Sequence, residues 1–327
     1  MANTLYPLKF KPIFKDKIWG GQRIKTKLGL DFGKLPNCGE VWVVSGEKNN
    51  PSVLENGFLA GNELNELVEI YMGDLVGEKH FKKFGNEFPL LVKYIDANDW
   101  LSIQVHPNDK LAAKRKIGWG KTEMWYIIHA DEGAQLISGF NRKVDKETYL
   151  KHLESNTLPE ILNYEDAHTG DVFFIPAGRV HALGPGILLA EIQQTSDTTY
   201  RIYDWDRIDH RGMKRELHTE EALDAIDFNF YDDYKTHYKL IKNLSSTLVN
   251  CDKFTTNLIK FDQPVMKDIS GLDSFIIYMG LEGKVILKSE EGEMPVKPGD
   301  AIVIPAVMEN LNLKPEGEAK LLEIYIQ

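Results

Sequence analysis

Two imidazoles and one carboxylate lie at the ends of apolar runs, where strands are expected to stop. His106 follows an apolar, β-branched run and shares strand parity with Gln104, so both side chains project to one face. Glu123 opens a second apolar run, and His181 follows a third one. Imidazole nitrogens and a carboxylate suit a borderline divalent ion with an open coordination position. The sequence therefore predicts a metal site in an enzyme, although a structural histidine is the ordinary alternative for each imidazole.

Charged side chains near these runs suit proton transfer or an anionic substrate. Glu191 ends a buried apolar run, so we interpret it as a candidate base or acid. Lys121 lies two residues before Glu123, so we expect it to face the same cavity as a phosphate-binding or proton-carrying group. Lys93, within another apolar run, is predicted to be a buried cation paired with Glu40 and to contribute to substrate binding.

Two further segments supply candidate substrate-binding residues. Asp197, Thr199 and Arg201 have the spacing of one strand face, on which arginine offers a bidentate fork for phosphate. A surface ion pair is the alternative interpretation of Arg201. Ser102 shares strand parity with the Gln104 and His106 side chains, so its hydroxyl is placed to donate a hydrogen bond to substrate. We therefore interpret Asp197 and Ser102 as candidate substrate-binding residues and Arg201 as a candidate functional residue.

An internal repeat indicates the fold that positions these residues. Residues 170–177 and 299–306 share a Gly-Asp turn, an apolar strand and a Pro-Ala end. His181 lies five residues after the proline of the first copy, and Asn310 takes that place in the second. A further match over residues 125–137 and 275–287 maps Glu123 to Asp273. The second copy thus retains the strands and loses the proposed ligands.

The repeat predicts a mainly β chain of two β-barrels with peripheral helices, the second copy being leaner than the first. We expect a metal-bearing catalytic domain over residues 1–240 and a degenerate C-terminal domain over residues 241–327. The first copy contains about 21 extra residues, the difference between the offsets 150 and 129. Helical spacing predicts that they form a helical insertion near residues 146–163.

Composition excludes several classes of protein. The formal net charge is −10 and no basic cluster compensates for it, so we predict no nucleic-acid partner. No apolar stretch approaches bilayer length and no signal-peptide pattern opens the chain, so we predict no membrane partner and a cytoplasmic location. The two cysteines have neither metal-binding nor redox spacing.

Four motifs in this order resemble those of the type I phosphomannose isomerases, zinc-dependent members of the cupin superfamily, in their short bacterial branch. They are Gln-Val-His-Pro at 104–107, Lys-Thr-Glu-Met at 121–124, Pro-Ala-Gly-Arg-Val-His at 176–181, and residues 191–207. The resemblance implies that the two barrels are cupin-like jelly rolls. It also implies one Zn²⁺ per chain, held by Gln104, His106, Glu123 and His181, and an active-site arginine at Arg201, which is thereby assigned to the catalytic group. One position departs from the pattern: Gly120 stands where the longer enzymes have a histidine.

The resemblance implies interconversion of mannose 6-phosphate and fructose 6-phosphate through an enediol. Such a reaction needs stabilisation of the developing negative charge, a positioned base, and cations for the phosphate of a small phosphosugar. A non-catalytic cupin that senses a sugar phosphate or a metal is the alternative hypothesis. A cupin oxygenase would require a histidine-rich iron site, which this ligand set does not provide.

Overall fold

The computed structural model describes residues 5–208 and 212–327, and within them the protein is predominantly β, as predicted. The strands of the first part of the chain are β1 (Leu8–Lys9), β2 (Ile13–Lys15), β3 (Glu40–Ser45), β4 (Leu90–Ala97), β5 (Ile103–Val105), β6 (Glu123–Ala130), β7 (Gln135–Phe140), β8 (Leu162–Asp166), β9 (Val172–Ile175), β10 (His181–Leu183), β11 (Ile187–Gln194) and β12 (Tyr200–Tyr203). The strands that follow are β13 (Ser245–Asn250), β14 (Thr255–Phe261), β15 (Val265–Asp268), β16 (Ile276–Glu282), β17 (Val285–Ser289), β18 (Gly292–Val296), β19 (Ala301–Ile304), β20 (Asn310–Pro315) and β21 (Ala319–Tyr325).

Short helices lie between these strands. They are α1 (Arg23–Leu28), α2 (Leu64–Val76), α3 (Glu78–Phe84), α4 (Asp109–Arg115), α5 (Lys146–Glu154) and α6 (Thr219–Ala225), with a 3₁₀ turn at Leu158–Ile161. Among the helices of the described residues, none combines the length and the apolar character needed to cross a membrane.

The N-terminal part of the chain forms two sheets that face each other. The inner N-terminal sheet has the strand order β2-β3-β4-β11-β6-β9, and the outer N-terminal sheet has the order β12-β5-β10-β7-β8. Ile95, Trp125 and Leu189 of the inner sheet belong to one apolar core with Leu136 and Leu183 of the outer sheet. The other face of the outer sheet packs on α5 and α6. Alternate residues of both sheets therefore point into a shared interior.

The C-terminal part repeats this arrangement. An inner C-terminal sheet, β1-β19-β16-β21-β14-β13, faces an outer C-terminal sheet, β15-β20-β17-β18, across a core that includes Phe261, Tyr278 and Leu313. The two inner sheets pack on each other through a larger core that includes Tyr94 and Met279. Four layers of sheet result, which explains why β11 is buried along its whole length. The description of each sandwich as a jelly-roll barrel stays a prediction.

The ladders identify the structural counterparts in the two copies. Glu123 pairs with Ile175 in the first copy, and Ile276 pairs with Ile304 in the second. Ile304 is the repeat equivalent of Ile175, so the counterpart of Glu123 is Ile276, and the mapping to Asp273 is wrong. The hairpin after β16 is shorter than the hairpin after β6. The difference in residue number between equivalent positions of the two copies is therefore not the same before and after the hairpin turn. The second copy therefore has an apolar core residue in place of the carboxylate.

The structure can be compared with the predicted helical insertion and with the predicted domain boundary. The predicted insertion contains α5 and the 3₁₀ turn, whereas a tight hairpin with Ser289 opposite Gly292 joins β17 to β18 in the second copy. Leu8 of β1 pairs with Val303 of β19, so the inner C-terminal sheet includes residues from both sides of the predicted boundary. The division at residue 240 stays a prediction.

Candidate metal centre and substrate cavity

The candidate ligands lie at strand ends inside the N-terminal sandwich. Gln104 is in β5, directly opposite His181, the first residue of β10. His106 follows β5, and Glu123 is the first residue of β6 in the facing sheet. Their apolar neighbours in β5 and β10 point to the helices on the other face of the outer sheet. Strand alternation thus directs all four side chains into the space between the sheets.

The two imidazoles and the carboxylate converge there. One potential ligand atom from each of His106, Glu123 and His181 lies within 4.8 Å of the others. The Oε2 atom of Glu123 is 3.6 Å from Nε2 of His106, and its Oε1 atom is 3.4 Å from Nε2 of His181. All three side chains are about 1% exposed. Nitrogen and oxygen ligands this close together suit one divalent ion.

Hydrogen bonds at Nδ1 orient both imidazoles so that Nε2 faces the cluster. Nδ1 of His106 donates to the Thr198 carbonyl at 3.0 Å, and Nδ1 of His181 donates to the Arg179 carbonyl at 2.8 Å. This assignment leaves the lone pair of each ring on Nε2, as in metal-binding histidines. Within residues 5–208 and 212–327, Nε2 of His181 has no hydrogen-bond partner. An unpaired, buried nitrogen acceptor is suited to binding a cation.

The electrostatic surroundings keep the histidines neutral. Burial lowers the pKa of His181 to about 4, and burial together with the Lys121 ammonium holds the pKa of His106 well below its usual range. Burial raises the pKa of Glu123 to about 7, with a further contribution from the negative charge of Glu191. A cation in the cluster would stabilise the carboxylate form. The donor set therefore favours a positively charged ligand.

Lys121 lies directly beside the cluster. Its Nζ is 3.0 Å from Nε2 of His106 and 3.3 Å from Oε2 of Glu123, and its side chain is 6% exposed. Lys121 precedes β6 by two residues, and its Nζ lies on the same side of the chain as the Glu123 carboxylate. An ammonium here is placed to interact with oxygens of any molecule bound at the cluster.

A cavity of about 260 Å³ lies beside the cluster, and Lys121, which contacts His106 and Glu123, is part of its lining. Its lining includes every residue predicted for catalysis or substrate binding, together with Gln104: Lys93, Ser102, Gln104, Lys121, Glu191, Asp197 and Arg201. Residues far apart in sequence therefore share one polar site.

Some cavity residues were not identified from the sequence as functional. Lys17, Trp125 and Arg215 also line the cavity. Lys17 lies just before the first turn of the chain, where no residue spacing indicates a function. Trp125 has the sequence context of an ordinary apolar strand residue. The signal for Trp125 was strand parity, since it follows Glu123 by two residues and faces the same interior.

A row of alternating charges forms the floor of the cavity on the inner sheet. Lys93 lies opposite Glu191 in the ladder, and its Nζ is 2.9 Å from Oε1 of Glu191 and 3.6 Å from Oε2 of Glu40. Lys17 contacts the other oxygen of Glu40 at 3.0 Å. Trp125 donates its indole N–H to Oε2 of Glu191 at 2.8 Å. Paired charges of this kind keep buried carboxylates ionised.

Glu40 shows the effect of this row on acidity. Burial alone would raise the pKa of this carboxyl, but Lys93, Lys17 and the hydrogen bond from Trp42 lower it to about 2. A folded-state pKa below the ordinary 4.5 stabilises the fold above pH 4.5. That contribution is lost as the pH falls toward 2.

Glu40→Gln is therefore expected to destabilise the protein in a pH-dependent manner. The variant should lose about 3 kcal/mol of unfolding free energy at pH 6, and the difference from wild type should shrink between pH 4.5 and pH 2. Urea unfolding across this range measures it. Glu282→Gln, which removes an exposed partner of Lys320, is the matched control. A difference that stays constant with pH would contradict the assigned charge state.

Two arginines lie at another wall of the cavity. Nη1 of Arg201 donates to the Glu216 carbonyl at 2.8 Å, while in the described part of the chain its buried Nε has no hydrogen-bond partner. Burial and the neighbouring Arg215 lower the pKa of Arg201. Arg215 is itself paired with Asp204 through two of its nitrogens. Arg201 thus retains donor capacity for an anion.

Comparisons with known proteins agree with this geometry. The family model for the phosphomannose isomerase type I catalytic domain matches residues 7–132, and that for the mannose-6-phosphate isomerase cupin domain matches residues 245–326. Mannose-6-phosphate isomerase ManA of Bacillus subtilis (strain 168) is 37% identical over 329 residues, covering 99% of this chain and 100% of the relative.

Solved structures give the same result. A crystal structure of the mannose 6-phosphate isomerase from Bacillus subtilis has a TM-score of 0.88 at 33% identity, covering 98% of this chain and 100% of the other. A mannose 6-phosphate isomerase bound with zinc and yttrium has a TM-score of 0.76 at 18% identity, which shows a shared fold, and covers 98% and 99% of the two chains. Sequence, fold and buried His/Glu/His cluster together show that this chain belongs to the type I mannose-6-phosphate isomerases, a family of metal-binding cupin enzymes.

Proposed function

We propose that this protein interconverts mannose 6-phosphate and fructose 6-phosphate with one Zn²⁺ per chain. The observation that carries the proposal is the buried convergence of His106, Glu123 and His181 beside a polar cavity whose lining includes both cations and carboxylates. Membership of the isomerase family supports the choice of substrates. A cytoplasmic location and the absence of nucleic-acid and membrane partners stay predictions.

The proposed zinc ligands are Gln104, His106, Glu123 and His181. The two Nε2 atoms and the Glu123 carboxylate support this set by their distances, and Gln104 supports it by its position opposite His181. An amide oxygen is an unusual zinc ligand, so Gln104 rests most on the family resemblance. When bound, zinc supplies a Lewis acid that polarises the carbonyl and hydroxyl oxygens of the sugar.

We assign proton transfer at carbon to Glu191. Conversion of the aldose to the ketose moves one proton from C2 to C1 and one from the C2 oxygen to the C1 oxygen, with no net oxidation. Although burial raises the pKa of Glu191, the Lys93 and Lys121 ammonium groups hold it below its ordinary value. Glu191 is therefore an ionised base in the cavity wall. Lys121, beside the ligand cluster, stabilises negative charge on the sugar oxygens and relays their proton.

We assign the phosphate to Arg201, whose side chain has free donor capacity. A dianionic phosphate suits a guanidinium fork, and the nearby Arg215 adds positive potential. Ser102 and Asp197 are proposed to contact sugar hydroxyls from the same lining. Lys93 is already neutralised by two carboxylates, so its proposed contribution is to orient Glu191 beside the substrate.

Arg201→Met is expected to weaken substrate binding and leave the metal in place. Loss of a charge-assisted hydrogen bond of about 1.5–3 kcal/mol should raise KM roughly 10- to 100-fold. Steady-state kinetics with mannose 6-phosphate measure the change, and Arg142→Met, at an exposed position outside the cavity, is the control. An unchanged KM would contradict the phosphate assignment.

Turnover tests the proposed function as a whole. The purified, zinc-loaded protein is incubated with mannose 6-phosphate in D₂O, and formation of fructose 6-phosphate with deuterium at carbon is followed by NMR. The proposal predicts conversion in both directions and much slower reaction of unphosphorylated mannose. Saturable binding without conversion would instead favour the non-catalytic sensor.

A further inference from the structure

The segment that carries Lys121 is held from outside the cavity by two connected side chains. Oδ1 of Asp109 accepts hydrogen bonds from the Gly120 N–H at 2.8 Å and from Nε2 of Gln194 at 2.9 Å. Oε1 of Gln194 in turn accepts from the Thr122 N–H at 3.1 Å. Both backbone amides that flank Lys121 are therefore fixed by Asp109, one directly and one through Gln194.

Close packing restricts position 120 to glycine. A Cβ atom at position 120 would lie 2.6 Å from the backbone nitrogen of Asp109 and 2.7 Å from the carbonyl carbon of Asn108. The Lys121 N–H also donates to the Pro107 carbonyl, at 3.0 Å. The segment thus lies directly against the start of α4, and only glycine permits the approach. This explains why the residue before Lys121 has no side chain.

A lysine from the C-terminal half completes the arrangement. Lys253 lies in the turn between β13 and β14, and its Nζ is 2.8 Å from Oδ2 of Asp109. The Lys253 side chain is 20% exposed, so the ion pair is partly shielded from solvent. The same nitrogen contacts Asp252 at 2.6 Å, which orients it from its own turn. Through Lys253, the C-terminal sandwich therefore contacts Asp109, the residue that fixes the backbone on both sides of Lys121.

We propose that Lys253 and Asp109 are positioning residues for the isomerisation: the ion pair from the C-terminal sandwich fixes the Gly120–Thr122 backbone and thereby the Lys121 ammonium beside His106 and Glu123. The inference rests on the proposed function, in which Lys121 acts on the sugar oxygens. It gives the C-terminal copy, which lacks the ligands, a role in catalysis. Displacement of a catalytic group by a fraction of an ångström lowers the rate without removing any group.

The test uses the full zinc-loaded chain and Lys253→Met, which retains the apolar stem and removes the charge. We expect kcat to fall about tenfold, less than the roughly hundredfold cost of a 1 Å misplacement, with KM changed less than twofold. Asp109→Ala should lower kcat further, and Lys253→Arg should restore it. Lys284→Met, which breaks an exposed ion pair with Glu316 within the C-terminal half, is the matched control and should leave kcat unchanged.

A double-mutant cycle separates positioning from general destabilisation. In a Lys121→Met background, Lys253→Met should cause no further loss of kcat, because the positioned group is already absent. Hydrogen exchange adds a readout independent of activity: the Gly120 and Thr122 amides should exchange faster in Lys253→Met and not in Lys284→Met.

Additive losses in the cycle, or unchanged exchange at both amides, would overturn the inference. If the unmodified chain shows no isomerase activity, the proposed function fails, whereas amide exchange still decides whether Lys253 fixes the segment.

Discussion

His181→Asn is expected to remove most of the bound metal and to lower kcat/KM about 1,000-fold or more. His181 contributes an Nε2 without any partner in the described residues, and its ring is oriented by the Arg179 carbonyl. Loss of one ligand weakens the site, and metal polarisation of an oxygen is worth several kcal/mol, each 1.4 kcal/mol being tenfold in rate. Asparagine is the informative substitution because the second copy of the repeat has Asn310 at this place.

The metal content and the rate are measured on the same preparation. His237→Asn removes an exposed histidine that pairs with Asp233 and serves as the control. Both variants should unfold at similar denaturant concentrations when the metal has been removed from all samples. Full zinc stoichiometry with near-normal turnover in His181→Asn would contradict the assignment of His181 as a ligand.

Glu191→Gln is expected to lower kcat by about 10²–10⁴-fold, the range for loss of a general base, with zinc retained. The amide preserves the shape of the side chain and its acceptor for the Trp125 N–H, which is 2.8 Å from Oε2. It removes the charge that Lys93 stabilises at 2.9 Å, so some loss of stability accompanies the loss of rate.

A second buried carboxylate provides a matched control for that loss. Glu323 in the C-terminal sandwich accepts a hydrogen bond from Tyr278 at 2.9 Å and pairs with Lys267 at 2.7 Å. Glu323→Gln should destabilise the fold to a similar degree and leave kcat near that of the wild type. A kcat of Glu191→Gln within threefold of the wild type would exclude Glu191 as the base and leave Lys121 as the remaining candidate.

The sequence allowed the elements of the site to be predicted because its signals are local. The alternation that begins just before β5 predicts that Ser102 and Gln104 share one face, and both line the cavity. Polar residues at the ends of apolar runs mark strand ends. The mainly β fold and the family were predicted from the repeat and the ordered motifs, and both are confirmed.

Features that depend on long-range packing could not be predicted from local sequence patterns. The counterpart of Glu123 was misassigned because hairpin length, which fixes ladder register, differs between the copies. Lys17 and Arg215 approach the cavity from loops, where no periodicity reports direction. The contact of Lys253 with Asp109 joins residues 144 positions apart (253 − 109), and no local pattern signals such a pair.

Removal and restoration of the metal test the central claim most directly. The purified protein is stripped with a chelator, its zinc content is verified, and turnover of mannose 6-phosphate is measured before and after titration with Zn²⁺. We expect no turnover in the metal-free protein and full recovery at one zinc per chain. Undiminished turnover in protein verified to be free of metal would contradict it.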